Sequence, residues 1–374
     1  MSLSTAAVER RAASLTRSHG TVLCCIAQMT SRERLTWRPA WAEALLLGRP
    51  SRRRPAGSAH RRPAKRLDMS SAHSPAPLVT VGVPVYNGQR FLRRALDSLL
   101  NSDYPNLEVI ICDNGSSDDT ADIAASYVKR DNRFRHYRSD LNLGAAPNFN
   151  RAFHLASGQY FRWLAHDDWC SPEYDSRCVD ILERIPSAVL AFAAQNVVDE
   201  NGAVLQTTRQ ALGRADDRRA SARVRSLAWR LRDPTAPVFG LIRRDVLSRT
   251  KLIRSTPEPD RLLVHELALH GKLMMIDEPL FFHYRSRGHA LHYGESADVR
   301  RRSFEWLHPD NRGKRQLTTL RVLLEHWTAV ERAELSRRET FMCSMHILGA
   351  SAVKRPVAKW RQTRSRQRAI LRLN

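Results

Sequence analysis

The sequence predicts an α/β fold, a mainly parallel sheet flanked by helices and followed by a helical C-terminal extension. Three observations carry this prediction. From Leu78 onward, apolar runs of strand length alternate with amphipathic stretches of helical period. Acidic residues close two of those runs, at the strand ends where parallel sheets bind ligands. The formal net charge of +23 is gathered at the two ends of the chain, which leaves a nearly balanced body of ordinary globular composition.

The charge distribution sets the domain organisation. Residues 1–68 hold 14 Lys and Arg against 4 Asp and Glu, and residues 351–374 hold 8 against none, so the remainder carries only +5. We divide the chain into a basic extension (1–76), an α/β domain (77–300) and a helical basic region (301–374). Because the excess charge lies in the tails and not across the body, no specific nucleic-acid partner is expected. Residues 1–68 lack periodicity and are rich in Arg, Ala, Ser and Pro. They are read as disordered or untranslated, with Met69 as the expected start. The six cysteines, at 24, 25, 112, 170, 178 and 343, form no CxxC pair, which fits a reducing compartment. No apolar run reaches the roughly 18 to 20 residues a membrane span needs. TVLCCIA (21–27) also lacks a clean cleavage site, so a signal peptide is not expected. The location expected is cytoplasmic, with a basic C-terminal tail able to lie on the anionic inner face of the membrane.

Element by element, LVTVGVPVY (78–86) reads as a buried strand. FLRRALDSLLNS follows, placing Phe91, Leu92, Ala95, Leu96, Leu99 and Leu100 on one helical stripe. LEVIICD (107–113) is a second strand ending in Asp113. The next helix, near 120–129, is capped by Ser117 or Asp118. A short strand near 134–137, a helix near 147–156 and the strand YFRWLA (160–165) complete a series that implies right-handed crossovers. Further on, AVLAFAAQNVV (188–198) and PVFGLIR (237–243) read as strands on either side of a helix near 220–231. DRLLVHELALHG (260–271) reads as a helix stopped by glycine. KLMMID and PLFFHYR read as two strands, and the chain beyond Arg301 is helical.

Three carboxylate groups could carry chemistry. Asp167 and Asp168 follow an apolar strand directly, and adjacent carboxylates repel unless a cation or donor offsets them. Mg²⁺ takes one or two such groups and completes its shell with phosphate oxygens and water. Asp113 ends an earlier strand inside DNGSSDDT, where a carboxylate can accept hydrogen bonds from a nucleobase or ribose. Asp260 opens a helix. There is no GxGxxG after the first strand and no GxxxxGK[ST], so dinucleotide and P-loop readings lose their support. His265, Glu266 and His270 are spaced i and i+5, which turns the two imidazoles about 140° apart and disfavours a shared zinc.

The stretches PLVTVGVPVYNGQRFLRRALDSLL, LEVIICDNGSSDDT and NLGAAPNFNRAFHLASGQYFRWLAHDDW resemble the nucleotide-binding half of a family 2 glycosyltransferase with the GT-A fold, over roughly 77–290. The resemblance implies a Rossmann-like domain and an inverting transfer from a nucleotide-sugar, a UDP-sugar, with Mg²⁺ or Mn²⁺ as cofactor. It places Pro84, Tyr86 and Asp113 at the nucleotide base and Asp167 at the ribose and diphosphate. Asp168 becomes the metal ligand and Asp260 the catalytic base, while Arg285 and His289, with Arg287, fall in the basic segment over the diphosphate. The family often has an acid two residues before the Asp167–Asp168 pair. Here that position is Ala165, which shifts the ribose contact to Asp167. Many members also read Glu-Asp where this chain reads Pro259-Asp260. The acceptor implied is a cell-envelope glycan or lipid-linked saccharide. The rival readings are a sugar nucleotidyltransferase, for which VPVYNGQR supplies little of the Gly-rich triphosphate loop, and a non-catalytic nucleotide-sugar or polyanion-binding protein.

Overall fold

The computed structural model describes residues 76–209, 212–231, 233–285, 297–314 and 318–352. The expectations for residues 1–75, Arg287, His289 and the tail from 353 therefore lie outside the described residues.

Every residue of β1 (Val79–Val85) and β2 (Leu107–Asp113) is buried, as continuous apolar runs in a doubly covered parallel sheet must be. Between them α1 (Leu92–Leu100) buries Leu92, Ala95, Leu96 and Leu99, the predicted stripe. The helices α2 (Thr120–Arg130) and α3 (Ala145–His154) connect β2, β3 (Phe134–Arg138) and β4 (Tyr160–Trp163). These four strands lie in the order β3-β2-β1-β4, all parallel. At the start of α2 the N-cap is Asp119, without a side-chain capping bond, and Asp118, one of the two residues expected to cap, instead accepts the Thr120 N–H in a local turn just ahead of the helix.

The rest of the sheet is mixed. It adds β5 (Trp169–Cys170), β6 (Ala188–Val198), β7 (Val204–Thr208), β8 (Leu241–Arg243) and β9 (Lys272–Tyr284), in the order β4-β8-β6-β9-β5 with β7 beside β6. β8 runs antiparallel to β4 and β6, and β5 antiparallel to β9, whereas β6 and β9 are parallel. The expected strand over 237–243 splits into the short helix α6 (Thr235–Val238) and β8. Pro237 has no N–H to offer a ladder. At Gly240 a Cβ would come within 2.7 Å of the Ala191 carbonyl. The two strands expected over 272–284 are one. Opposite Ala193 and Gln195 of β6, the β9 partners jump from Ile276 to Phe281, so the segment holding Asp277, Glu278 and Pro279 bulges outward.

On the other side, α4 (Tyr174–Arg184) is pinned by a fully buried ion pair in which Arg162 Nε and Nη2 donate to Asp175 at 2.6 and 2.9 Å. α5 (Ala220–Arg230), α7 (Arg244–Leu247), α8 (Pro259–His270), α9 (Ala297–Leu307) and α10 (Thr318–Arg332) follow, then a helix over 337–352. Glu266 of α8 is buried between Arg254 and Arg332 of α10, which ties the helical region to the domain. His265 stacks near His326, ring centroids 4.9 Å apart, so this histidine packs between helices.

Candidate active site

The parallel strands β1, β2 and β4 end at one edge of the sheet, and their loops are laced together there. Pro84 lies opposite Cys112 and Val85 opposite Asp113. The loop after β1 donates backbone N–H groups to the loop after β2: Asn87 to Ser116 Oγ, Gly88 to Thr120 Oγ1 and Gln89 to Asp118. The second loop answers with Ser117 and Asp119 N–H groups to the side chains of Asn87 and Gln89. A Cβ at Gly88 would stand 2.9 Å from the His166 ring, which brings the β1 loop against the loop after β4. The predicted base-binding residues and the acidic pair therefore share one edge.

The Asp113 side chain is fully buried. Its Oδ1 accepts the Ser116 N–H at 2.9 Å, while Arg138 Nε and His136 Nε2 stand 3.6 and 3.9 Å from Oδ2. Burial alone would push this carboxyl up, but the pull of His136, Ser116 and Arg138 outweighs it and holds it below the usual carboxylate range. Oδ2 has no hydrogen-bond donor among the described residues. Beside it Tyr86 is 44% exposed, presenting its ring to solvent.

After β4, a turn closed by the Asp168 N–H on Ala165 O presents Asp167 half-buried and Asp168 buried. Asp168 Oδ1 accepts the Tyr284 N–H at 2.9 Å and faces His283 Nδ1 at 3.1 Å. Its Oδ2 has no hydrogen-bond partner among the described residues. Burial pushes the Asp168 carboxyl up and His283 only partly offsets this. Burial would likewise lower His283, but the charge of Asp168 outweighs it and raises the imidazole. The contact is fixed by packing, because the Tyr284 ring lies 4.5 Å from that of Phe91 in the β1 loop. Among the described residues no cluster of three or more His, Cys, Asp or Glu is placed to hold a metal. An orphaned, buried Oδ2 with Asp167 beside it instead suits a cation whose shell a diphosphate and water complete.

Asp260 occupies the first turn of α8. The N-cap position belongs to Glu258, in the left-handed region with φ of 56°, and Pro259 takes N1. Arg261 pairs with Glu258 at 3.0 Å and donates to Leu231 O at 2.6 Å. Two residues on, Asp233 faces Arg285 at 3.7 Å and accepts from Gln195 Nε2 at 3.3 Å. Arg261, the residue after Asp260, thus ties the start of α8 to Leu231, whereas Pro84, Tyr86, Asp113, Asp167 and Asp168 all lie at or just beyond the C-terminal ends of β1, β2 and β4. His283, Asp233 and Gln195 escaped the sequence reading. His283 sat inside an unremarkable FFHY run, and the bulge that turns it toward Asp168 has no local signature beyond Pro279.

A mixed α/β sheet of this order, flanked by helices and with acidic residues at its strand ends, is that of the GT-A fold. Residues 80–249 match the profile described as Glycosyl transferase family 2. It is 34% identical over 126 residues to an uncharacterized glycosyltransferase of Rickettsia typhi, covering 33% of this chain and 38% of that one. It is 32% identical over 126 residues to the chondroitin synthase of Escherichia coli, covering 34% and 18% respectively. The chain thus spans well under two thirds of these relatives. The crystal structure of TarS 1-349 from S. aureus superposes with a TM-score of 0.53 at 15% identity, covering 75% of this chain and 73% of that one. Its complex with UDP-GlcNAc gives 0.51 at 15%, covering 73% and 72%. At that identity the likeness is one of fold.

Proposed function

We propose that the chain is an inverting glycosyltransferase that moves a sugar from a nucleotide-sugar, a UDP-sugar, to a hydroxyl of a saccharide or lipid-linked acceptor. The observation that carries this reading is the buried Asp168, held by His283 and Tyr284 with its second oxygen without a hydrogen-bond partner among the described residues, on the same edge as Asp113. The family-profile match over 80–249 and the UDP-GlcNAc held by the structurally similar TarS support it. The chondroitin synthase relative fits an acceptor that is itself a glycan.

In this reading Asp113 Oδ2 accepts from the nucleobase and Tyr86 packs on its face, with Pro84 shaping the strand end beneath. Asp167 takes the ribose hydroxyls and Arg285 stands over the diphosphate. Asp168 and Asp167 would hold Mg²⁺ or Mn²⁺, whose charge offsets the charge that builds on the leaving diphosphate. His283 keeps Asp168 in one orientation, which fixes where its free oxygen points. Asp260 takes the proton of the acceptor hydroxyl as that oxygen attacks the anomeric carbon from the face opposite the diphosphate. The bond to the diphosphate breaks as the new one forms, so configuration inverts. The N-terminus of α8 favours the ionised carboxylate that this role requires. Glu266, the other carboxylate of α8, is spent on Arg254 and Arg332 and is unavailable.

We further propose that the helical region rests on an anionic membrane surface. Leu320, Leu324 and Trp327 lie at i, i+4 and i+7 on the exposed side of α10, and the chain that follows residue 350 carries eight basic and no acidic residues. No helix among the described residues is long and apolar enough to cross a membrane. The test of the catalytic reading is incubation with a panel of UDP-, GDP- and dTDP-sugars plus Mg²⁺ or Mn²⁺. Release of nucleoside diphosphate from one of them is expected, and silence across the panel with acceptor glycans present would refute it.

A further inference from the structure

The segment that leads into α8 has a construction that the chemistry above does not use. Residues 251–258 form neither helix nor strand, yet Leu252, Ile253, Arg254 and Thr256 are buried. Buried backbone outside a ladder must find its hydrogen-bond partners elsewhere. Asn150 of α3 supplies them at Ile253. Its Oδ1 accepts the Ile253 N–H at 3.0 Å and its Nδ2 donates to the Ile253 carbonyl at 3.0 Å. One carboxamide thus makes both bonds that a neighbouring strand would make to that residue.

The segment is also strained near both ends. Leu252 and Glu258 hold φ of 53° and 56°, a region that crowds any side chain and persists only where the surroundings impose it. Leu252 and Ile253 share an apolar cluster with Leu263, Val264 and Leu267 of α8, and Arg254 pairs with Glu266 of the same helix. The segment therefore sets where α8 begins. Toward its own N-terminus, α3 grips the nucleotide edge. Asn148, 3% exposed, donates from Nδ2 to the Cys112 carbonyl at 2.9 Å, one residue before Asp113, and the Gly144 carbonyl accepts from Asn114 at 3.1 Å. Asn148 and Asn150 thus link, through one helix, the strand that ends in Asp113 to the loop that precedes Asp260.

We propose that Asn150 is a positioning residue for the transfer: its two bonds to Ile253 hold the strained lead-in of α8, and Asp260 with it, at a fixed place relative to a nucleotide at Asp113. This rests on the transferase reading given above, with Asp260 as the base. Asn150 touches neither donor nor acceptor and acts only through the backbone of 252–258. A general base must stand within hydrogen-bond reach of the proton it takes. A displacement of about 1 Å caused by a remote change is enough to lower turnover about 100-fold. Without the clamp, the two left-handed residues are free to relax, and the first turn of α8 shifts with them.

The test is a double-mutant cycle in the full chain, run with the nucleotide-sugar and acceptor glycan that release most nucleotide in the panel above and with calorimetric titration of the matching nucleoside diphosphate plus Mg²⁺. Asn150→Ala should lower kcat roughly 10- to 100-fold. Its affinity for the nucleoside diphosphate should stay within about twofold of wild type, which also shows that the protein is folded. Asn150→Asp, which keeps the acceptor and loses the donor, should show the same pattern. In the Asp260→Asn background, Asn150→Ala should lower the residual turnover by less than about twofold, because the group it positions no longer takes the proton. Unchanged kcat in Asn150→Ala, or a loss by the same factor in both backgrounds, overturns the positioning role and leaves the transferase reading standing. Loss of nucleotide binding in both Asn150 variants also overturns it, since the residue then serves folding at large. A wild type silent across the panel overturns both readings.

Discussion

β1 to β4 run parallel without a break in register, whereas β6 to β9 mix directions and slip register twice along the β6–β9 pair. In the first half, the candidate residues sit at strand ends in turns whose side chains bind near neighbours: Asp113 takes the Ser116 N–H, and Asp118 takes the Thr120 N–H. In the second half, the candidate residue His283 sits within a strand, its facing set by the register that the β6–β9 irregularities leave. The two constructions have different sensitivities. A turn residue can be changed without disturbing the sheet, while His283 and Tyr284 of β9 reach Asp168 of the first half directly.

The largest expected effects fall where the halves meet. Asp168→Asn removes the charge that the cation needs, so turnover should drop on the order of 10³-fold or more in steady-state assays, with circular dichroism unchanged. Next, Asp260→Asn keeps the shape of the helix start but cannot take a proton. Turnover should fall roughly 10²- to 10⁴-fold across the pH range, and near-normal rates would make Asp260 merely a helix-terminal acid.

A smaller effect separates the halves by pH. Because Asp113 is held below its unfolded value, its contribution to stability is fully present above about pH 4 and is lost as pH falls through the lower folded value. Urea midpoints for Asp113→Asn should therefore change less between pH 5 and pH 3 than those of the wild type. An equal pH slope in the two proteins would show that Asp113 is not tied to His136, Ser116 and Arg138 as described. Nucleoside diphosphate affinity in the same variant should fall about tenfold.

The smallest effect on chemistry lies farthest from the seam. Leu324→Glu combined with Trp327→Ser should reduce sedimentation with anionic liposomes severalfold and leave release of nucleoside diphosphate from the donor unchanged. Retained liposome binding would remove the helical face from the membrane contact.

The same contrast explains what could be read from the amino acids. The strand-helix alternation from Leu78 to Ala165 and the acids at 113, 167 and 168 were legible because apolar period and turn chemistry are local properties. The split of 237–243 followed from Pro237 and Gly240, whose packing against Ala191 no periodicity reveals. The joining of 272–284 into one strand depended on a bulge that only the partner strand defines. Asp233 carries the plainest lesson. It lies in the polar stretch before α6 and acquires meaning only because the fold brings Gln195 and Arg285 to it.

The central claim is that donor binding and proton removal belong to different carboxylates, Asp168 on the strand edge and Asp260 on the helix. It is tested most directly by titrating the preferred nucleotide-sugar, with Mg²⁺, into Asp168→Asn and Asp260→Asn side by side. The account predicts wild-type affinity in the Asp260 variant and loss of the metal-dependent component in the Asp168 variant. Wild-type, metal-dependent binding in the Asp168 variant, or its loss in the Asp260 variant, would contradict it.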